Sequence, residues 1–184
     1  MLEVYNLSSL DIGDFTHLET YVKVEHTSLD EPSCWIEQDG YLFFVSEEND
    51  LYLLCGYSGD ESVLTLPESI NGHSYSIYDY AFMGNTNITE LTVSDGVVGI
   101  GEQAFASCTN LSKVYIGKDV SIIEEKAFSL CSALVSAEFS DVEGWGMYHS
   151  SSIEKEYTAS DIENVENAVT ILWSLGIFDS LRKK

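Results

Sequence analysis

Basic residues are scarce in this chain. Eight lysines and arginines stand against 31 aspartates and glutamates, giving a formal net charge of -23. Such a surface repels phosphate backbones and anionic headgroups, so nucleic acid and anionic lipid are excluded as partners. Long apolar runs are also missing: nothing approaches the roughly 18 consecutive apolar residues of a membrane span. The opening MLEVYNLSSLDIGDF has no basic n-region and no apolar h-region, and so is not a signal peptide. That leaves an intracellular chain or a piece of a larger secreted protein. There are four cysteines, and Cys34 and Cys55 have neither a C-x-x-C nor a histidine partner spacing for zinc. The four histidines, His17, His26, His73 and His149, stand alone. There is no H-E-x-x-H, no G-x-S-x-G and no phosphate-binding glycine loop with a following lysine. No D-x-D-x-D-G loop marks a calcium site, whatever the acid count. No catalytic residue, metal ligand or cofactor is therefore assigned, and an enzyme is not expected.

What is present is a repeat. Ala-Phe recurs at Ala81-Phe82, Ala104-Phe105 and Ala127-Phe128, each 23 residues after the last. Ile77, Ile100 and Ile123 keep that spacing, as do Leu91, Val114 and Ala137, and Val93, Ile116 and Phe139. A fixed period in the twenties is the signature of a solenoid whose turns stack on one another. The unit reads I-x-x-x-A-F-x-x-C-x-x-L-x-x-V-x-I, and its Leu111-x-x-Val114-x-Ile116 segment is a leucine-rich repeat strand. Val114 and Ile116 point inward and Tyr115 outward. The three phenylalanines should stack as a column in the core. Cys108 and Cys131 share one repeat position, with Asn85 at the same place one turn earlier, which suits small buried side chains. Adjacent rungs would bring their Cα atoms to about 5 Å, so a bridge is geometrically open.

Three regions follow. Residues 1–62 form a flank: Leu10, Ile12, Phe15 and Leu18 suggest a short helix, and Tyr21–His26 a strand. From Cys34, alternating strands turn at Asp39-Gly40 and at Glu47–Asp50, an antiparallel meander expected to cover the open end of the ladder. Residues 63–143 form the solenoid. Its first turn carries extra residues between Leu66 and Ile77, where Asn71-Gly72 marks a type I′ hairpin followed by His73, a weak ligand candidate. Residues 144–184 form a C-terminal cap. Ser150, Ser151 and Ser152 read as a polar loop. Ser160-Asp161-Ile162-Glu163 reads as a capping box, opening a helix with Ile162, Val165, Val169, Leu172 and Trp173 on one face and Gly176 as its stop. Residues 177–184 carry no assignable pattern.

The unit resembles the BspA-type leucine-rich repeat, also called the Treponema pallidum type. LTLPESINGHSYSIYDYAF, from Leu64, is similar to that family's usual opening. The chain departs where Asn85 replaces cysteine and where Ser94, Gly117 and Ser140 stand in place of proline. The resemblance implies a right-handed leucine-rich repeat solenoid, a parallel β ladder with short helical turns. It also implies bacterial surface or secreted proteins, some adhering to host or cell-surface components. Solenoids commonly bind partners on the strand face. The outward positions there are Thr65, Thr92, Tyr115 and Glu138, flanked by Glu90, Lys113 and Ser136, with Tyr115 beside Lys113 as the best anchor. The expected function is a non-catalytic protein-interaction module with a protein or cell-surface ligand; the alternative is a spacer within a larger surface protein.

Overall fold

A computed structural model describes residues 3–5, 33–46, 49–150 and 152–184. The expected helix at Leu10–Leu18 and strand at Tyr21–His26 lie outside the described residues. The chain starts in an antiparallel meander of β1 (Glu3–Tyr5), β2 (Ser33–Gln38), β3 (Tyr41–Ser46) and β4 (Leu51–Tyr57). The β2–β3 turn places Asp39 at φ 52° and Gly40 at φ 80°, the left-handed pair that a two-residue hairpin needs.

The 23-residue period builds two parallel ladders, where the strand motif alone implied one. The first consists of β5 (Val63–Thr65), β7 (Glu90–Val93), β9 (Lys113–Ile116) and β11 (Ser136–Phe139). Its register is that of the repeat: Leu91 lies beside Val114 and Ala137, and Val93 beside Ile116 and Phe139. The second consists of β6 (Tyr75–Ile77), β8 (Val97–Ile100) and β10 (Ile122–Ile123), with Ile77, Ile100 and Ile123 turned inward. The meander joins this second ladder, because β4 pairs with β6 in parallel through Leu53–Ser76 and Leu54–Ile77. It therefore extends the second ladder, and its inner side chains join the core of the first turn, with Tyr57 6.2 Å from Phe82 and Phe43 5.6 Å from Tyr75. Toward β5 it sends the Tyr41 hydroxyl, which donates to the Thr65 carbonyl at 3.0 Å.

Between the ladders lies the phenylalanine column. Phe82 stacks on Phe105 at 4.9 Å and Phe105 on Phe128 at 5.3 Å, with rings within 14° of parallel. The turns carrying these rings are linked to one another by backbone hydrogen bonds, such as Phe82 N–H to the Ala104 carbonyl and Phe105 N–H to Ala127, both 2.8 Å. The Cys108 and Cys131 thiols are fully buried and unbridged. They donate to the carbonyls of Phe82 and Phe105 at 3.2 and 3.1 Å. The neighbouring Cys131 thiol and burial together raise the Cys108 pKa well above its usual range. Asn85 fills the position differently. Its Oδ1 accepts from the N–H groups of Asn87 and Ile88 and closes its own turn.

At two of the three positions without proline the backbone N–H is used. The Gly117 and Ser140 N–H groups donate to the carbonyls of Val93 and Ile116 at 2.8 and 2.9 Å, which proline cannot do. The insertion forms the expected hairpin, with Asn71 at φ 51°, Gly72 at φ 81° and an Ile70–His73 bridge. His73 stacks on Tyr52 at 4.3 Å, a packing role for the ligand candidate.

The C-terminal region departs furthest from the sequence pattern. Of the expected polar loop, Ser150 stands in a turn at φ 55°, while Ser152 already opens β13 (Ser152–Glu156), which pairs with β12 (Trp145–His149). The unassigned tail is β14 (Asp179–Lys183), inserted antiparallel between β10 and β12. It completes a sheet in the order β1-β2-β3-β4-β6-β8-β10-β14-β12-β13. Two helices replace one: α1 (Ala159–Glu163) and α2 (Val165–Ser174). The first cap is Thr158, not Ser160, with Asp161 reaching back to the Thr158 N–H at 2.9 Å. Asn164 caps the second helix. Helix α2 turns Ala168, Val169, Ile171 and Leu172 toward the core and packs on β11, while Trp173, expected on the same face, is 48% exposed.

Candidate binding face

The alternation that buries one side of the first ladder leaves two rows on the other. Val63, Glu90, Lys113 and Ser136 are in register across the four strands, and so are Thr65, Thr92, Tyr115 and Glu138. All seven sequence-predicted residues thus share one face. Thr65, Glu90, Lys113 and Glu138 are exposed, and Thr92, Tyr115 and Ser136 are half-buried. Adjacent residues in each row stand about 4.8 Å apart, the spacing of paired strands. Lys113 Nζ lies 3.3 Å from Glu138 Oε1, a diagonal ion pair beside Tyr115. Exposed pairs of this kind contribute little to stability, and a partner can exchange them cheaply.

Two residues of this face were missed. Val63 is 62% exposed at the outer end of its row. Val135, just before β11, is 70% exposed and takes the place held by Thr89 and Ser112 in earlier turns. Those hydroxyls donate to backbone carbonyls of the preceding turn at 3.0 and 2.9 Å. A valine there breaks the polar column, and that break was the readable signal. The result is a polar face with an aromatic centre and an aliphatic residue near each end.

Among the described residues no group of histidine, cysteine and carboxylate side chains can hold a metal ion, and no helix is long and apolar enough to cross a membrane. His149 Nδ1 lies 2.8 Å from Asp179, an exposed pair whose hydrogen bond lowers the Asp179 pKa.

Two stacked parallel ladders with a strand motif at constant register define a leucine-rich repeat solenoid. The family model described as "BspA type Leucine rich repeat region" matches residues 62–169 in six copies, and the chain belongs to that family. Among solved structures, the leucine-rich repeat protein of T. pallidum matches with 23% identity and a TM-score of 0.52, over 56% of this chain and 49% of its own. The chain thus spans about half the length of that relative, and the likeness is one of fold. A leucine-rich repeat protein from Bacteroides capillosus matches with 30% identity and a TM-score of 0.49, over 54% of this chain and 78% of that one. A leucine rich cell surface protein from Faecalibacterium prausnitzii matches with 24% identity and a TM-score of 0.47, over 57% of this chain and 29% of that one. No curated protein matches the sequence.

Proposed function

We propose that the chain is a non-catalytic protein-interaction module of a bacterial surface or secreted protein, and that it engages a protein or cell-surface component on the first ladder. The observation that carries this reading is the face itself: Tyr115 sits half-buried at its centre, with the Lys113–Glu138 pair beside it and exposed Val63 and Val135 near its ends. A rigid tyrosine offers contact area at low entropic cost, and exposed aliphatic residues add desolvation energy on binding. The family supports placement outside the cell and, through it, an adhesive role.

The test is comparative binding of wild type and Tyr115→Ala to immobilised host matrix and bacterial surface extracts. A partner bound by wild type and at least about tenfold more weakly by the variant supports the reading, since central tyrosines are frequent hot spots. A second reading, a spacer that only separates other domains, is favoured by the continuous phenylalanine column and the turn-to-turn hydrogen bonds. It expects ladder-face substitutions to change nothing and shortening of the repeat array to change function.

A further inference from the structure

The second ladder also has an outward face, and that face holds a cavity of about 190 Å³. Its floor is one register row: Leu53 on β4, Ser76 on β6, Gly99 on β8 and Ile122 on β10. Gly99 makes the notch. A Cβ there would stand 3.1 Å from both the Ile122 side chain and the Ser76 hydroxyl. One end is closed by two carboxylates, Asp79 and Glu124. Asp79 Oδ1 accepts from the Glu102 N–H at 2.8 Å. Among the described residues no donor hydrogen-bonds the Glu124 carboxylate.

The lysines among the described residues are engaged elsewhere. Lys113, Lys118, Lys126, Lys183 and Lys184 each face a carboxylate of their own, and Lys155 lies over the Tyr157 ring. Arg182 continues the floor row beyond Ile122, but its Nε donates to Ser180 at 2.7 Å and its guanidinium lies over Tyr148 at 5.5 Å. The cavity therefore joins an aliphatic floor to a half-buried anionic end on which the Arg182 charge acts, while among the described residues no cation hydrogen-bonds the Glu124 carboxylate. Its volume is below the roughly 300–1,000 Å³ of small-molecule pockets and suits a single side chain.

We propose that this cavity is a second binding site, on the opposite sheet from the first, which takes one lysine or arginine side chain of a basic polypeptide partner. The aliphatic stem would lie over Gly99 and Ile122, and the cationic head would reach Asp79 and Glu124. Desolvation holds both carboxyls above their ordinary pKa values, although the Glu102 N–H opposes it at Asp79 and the Arg182 charge opposes it at Glu124, so an arriving cation relieves what remains of that penalty. The net charge of -23 steers such a partner toward the chain.

The test is an amide-resolved NMR titration of the full chain with acetyl-Gly-Lys-Gly-amide, alongside the neutral norleucine analogue. Both are run at about 0.15 M salt to screen diffuse attraction. The lysine peptide is expected to shift the Ser76, Gly99, Gly101 and Ile122 amides saturably, and the norleucine peptide to leave them nearly unmoved. In Glu124→Gln, and in Ser76→Leu, which fills the floor, the lysine affinity should fall by about tenfold. Equal response to both peptides, shifts scattered over exposed carboxylates and unchanged in Glu124→Gln, or no saturable shift would each overturn the proposal. A response confined to Thr92 and Tyr115 would overturn it too, while leaving the first-ladder reading in place.

Discussion

Phe105→Ala should be the most damaging single truncation in the solenoid. The ring is fully buried and is the middle member of the column, with Phe82 at 4.9 Å on one side and Phe128 at 5.3 Å on the other. Burying such a side chain contributes about 1.5–3 kcal/mol by transfer alone. The two ring pairs add about 0.5–1.5 kcal/mol each. The turn cannot collapse into the hole, because its backbone is hydrogen-bonded to neighbours on both sides, from Phe82 N–H through Ala104 and from Phe105 N–H to Ala127. A residual cavity therefore remains, and the total should reach about 3–5 kcal/mol. Since repeat stability is approximately a sum of local and nearest-neighbour terms, losing the middle ring weakens two interfaces at once. Urea unfolding of wild type, Phe105→Leu and Phe105→Ala, followed by circular dichroism, measures this directly. A loss below about 1 kcal/mol for the alanine variant at unchanged m-value would refute the reasoning.

Other perturbations test separate links. Thr158→Ala should cost about 1 kcal/mol by removing the true cap, while Ser160→Ala should stay within about 0.5 kcal/mol; paired thermal melts decide between the two positions. Gly117→Ala should destabilise by about 1–3 kcal/mol, because a Cβ would meet the Ser94 backbone at 2.7 Å. Glu124→Gln should raise stability at neutral pH. Burial lifts the Glu124 pKa above its ordinary 4.5, with the Arg182 charge opposing and the Asp79 charge adding, so the folded state is penalised increasingly as the pH rises above 4.5 and in full once it exceeds the folded value. The gain should shrink as the pH falls through that folded value and vanish below 4.5, where both states are protonated. Melting temperatures across that window check the sign.

Where the sequence repeats, the structure follows it closely. Leu91, Val114 and Ala137 share a register because each copy repeats the same alternation, and the phenylalanines stack because each turn returns the chain to the same place. The seven outward residues were legible for the same reason. The second ladder was harder to read. Its strands are short, and Gly99 at an outward position dilutes the period-2 signal in β8. β14 was illegible because its pairing is wholly tertiary: Leu181 is held by Ile123 and Met147, both distant in sequence. The cap was misplaced because Thr158 and Ser160 both carry hydroxyls near the helix start, and only the local backbone puts Asp161 three residues beyond the true cap. The acidic cavity was illegible because its floor positions Ser76, Gly99 and Ile122, though 23 residues apart, carry three different residue types, and its carboxylates Asp79 and Glu124 come from different places in their turns.

The most direct test of the account is affinity capture from host matrix and bacterial surface extracts, quantified for wild type against a Lys113→Glu/Tyr115→Ala double variant with matched melting temperature. The account predicts proteins enriched by the wild type and lost with the variant. Equal recovery by both would contradict binding through the first ladder.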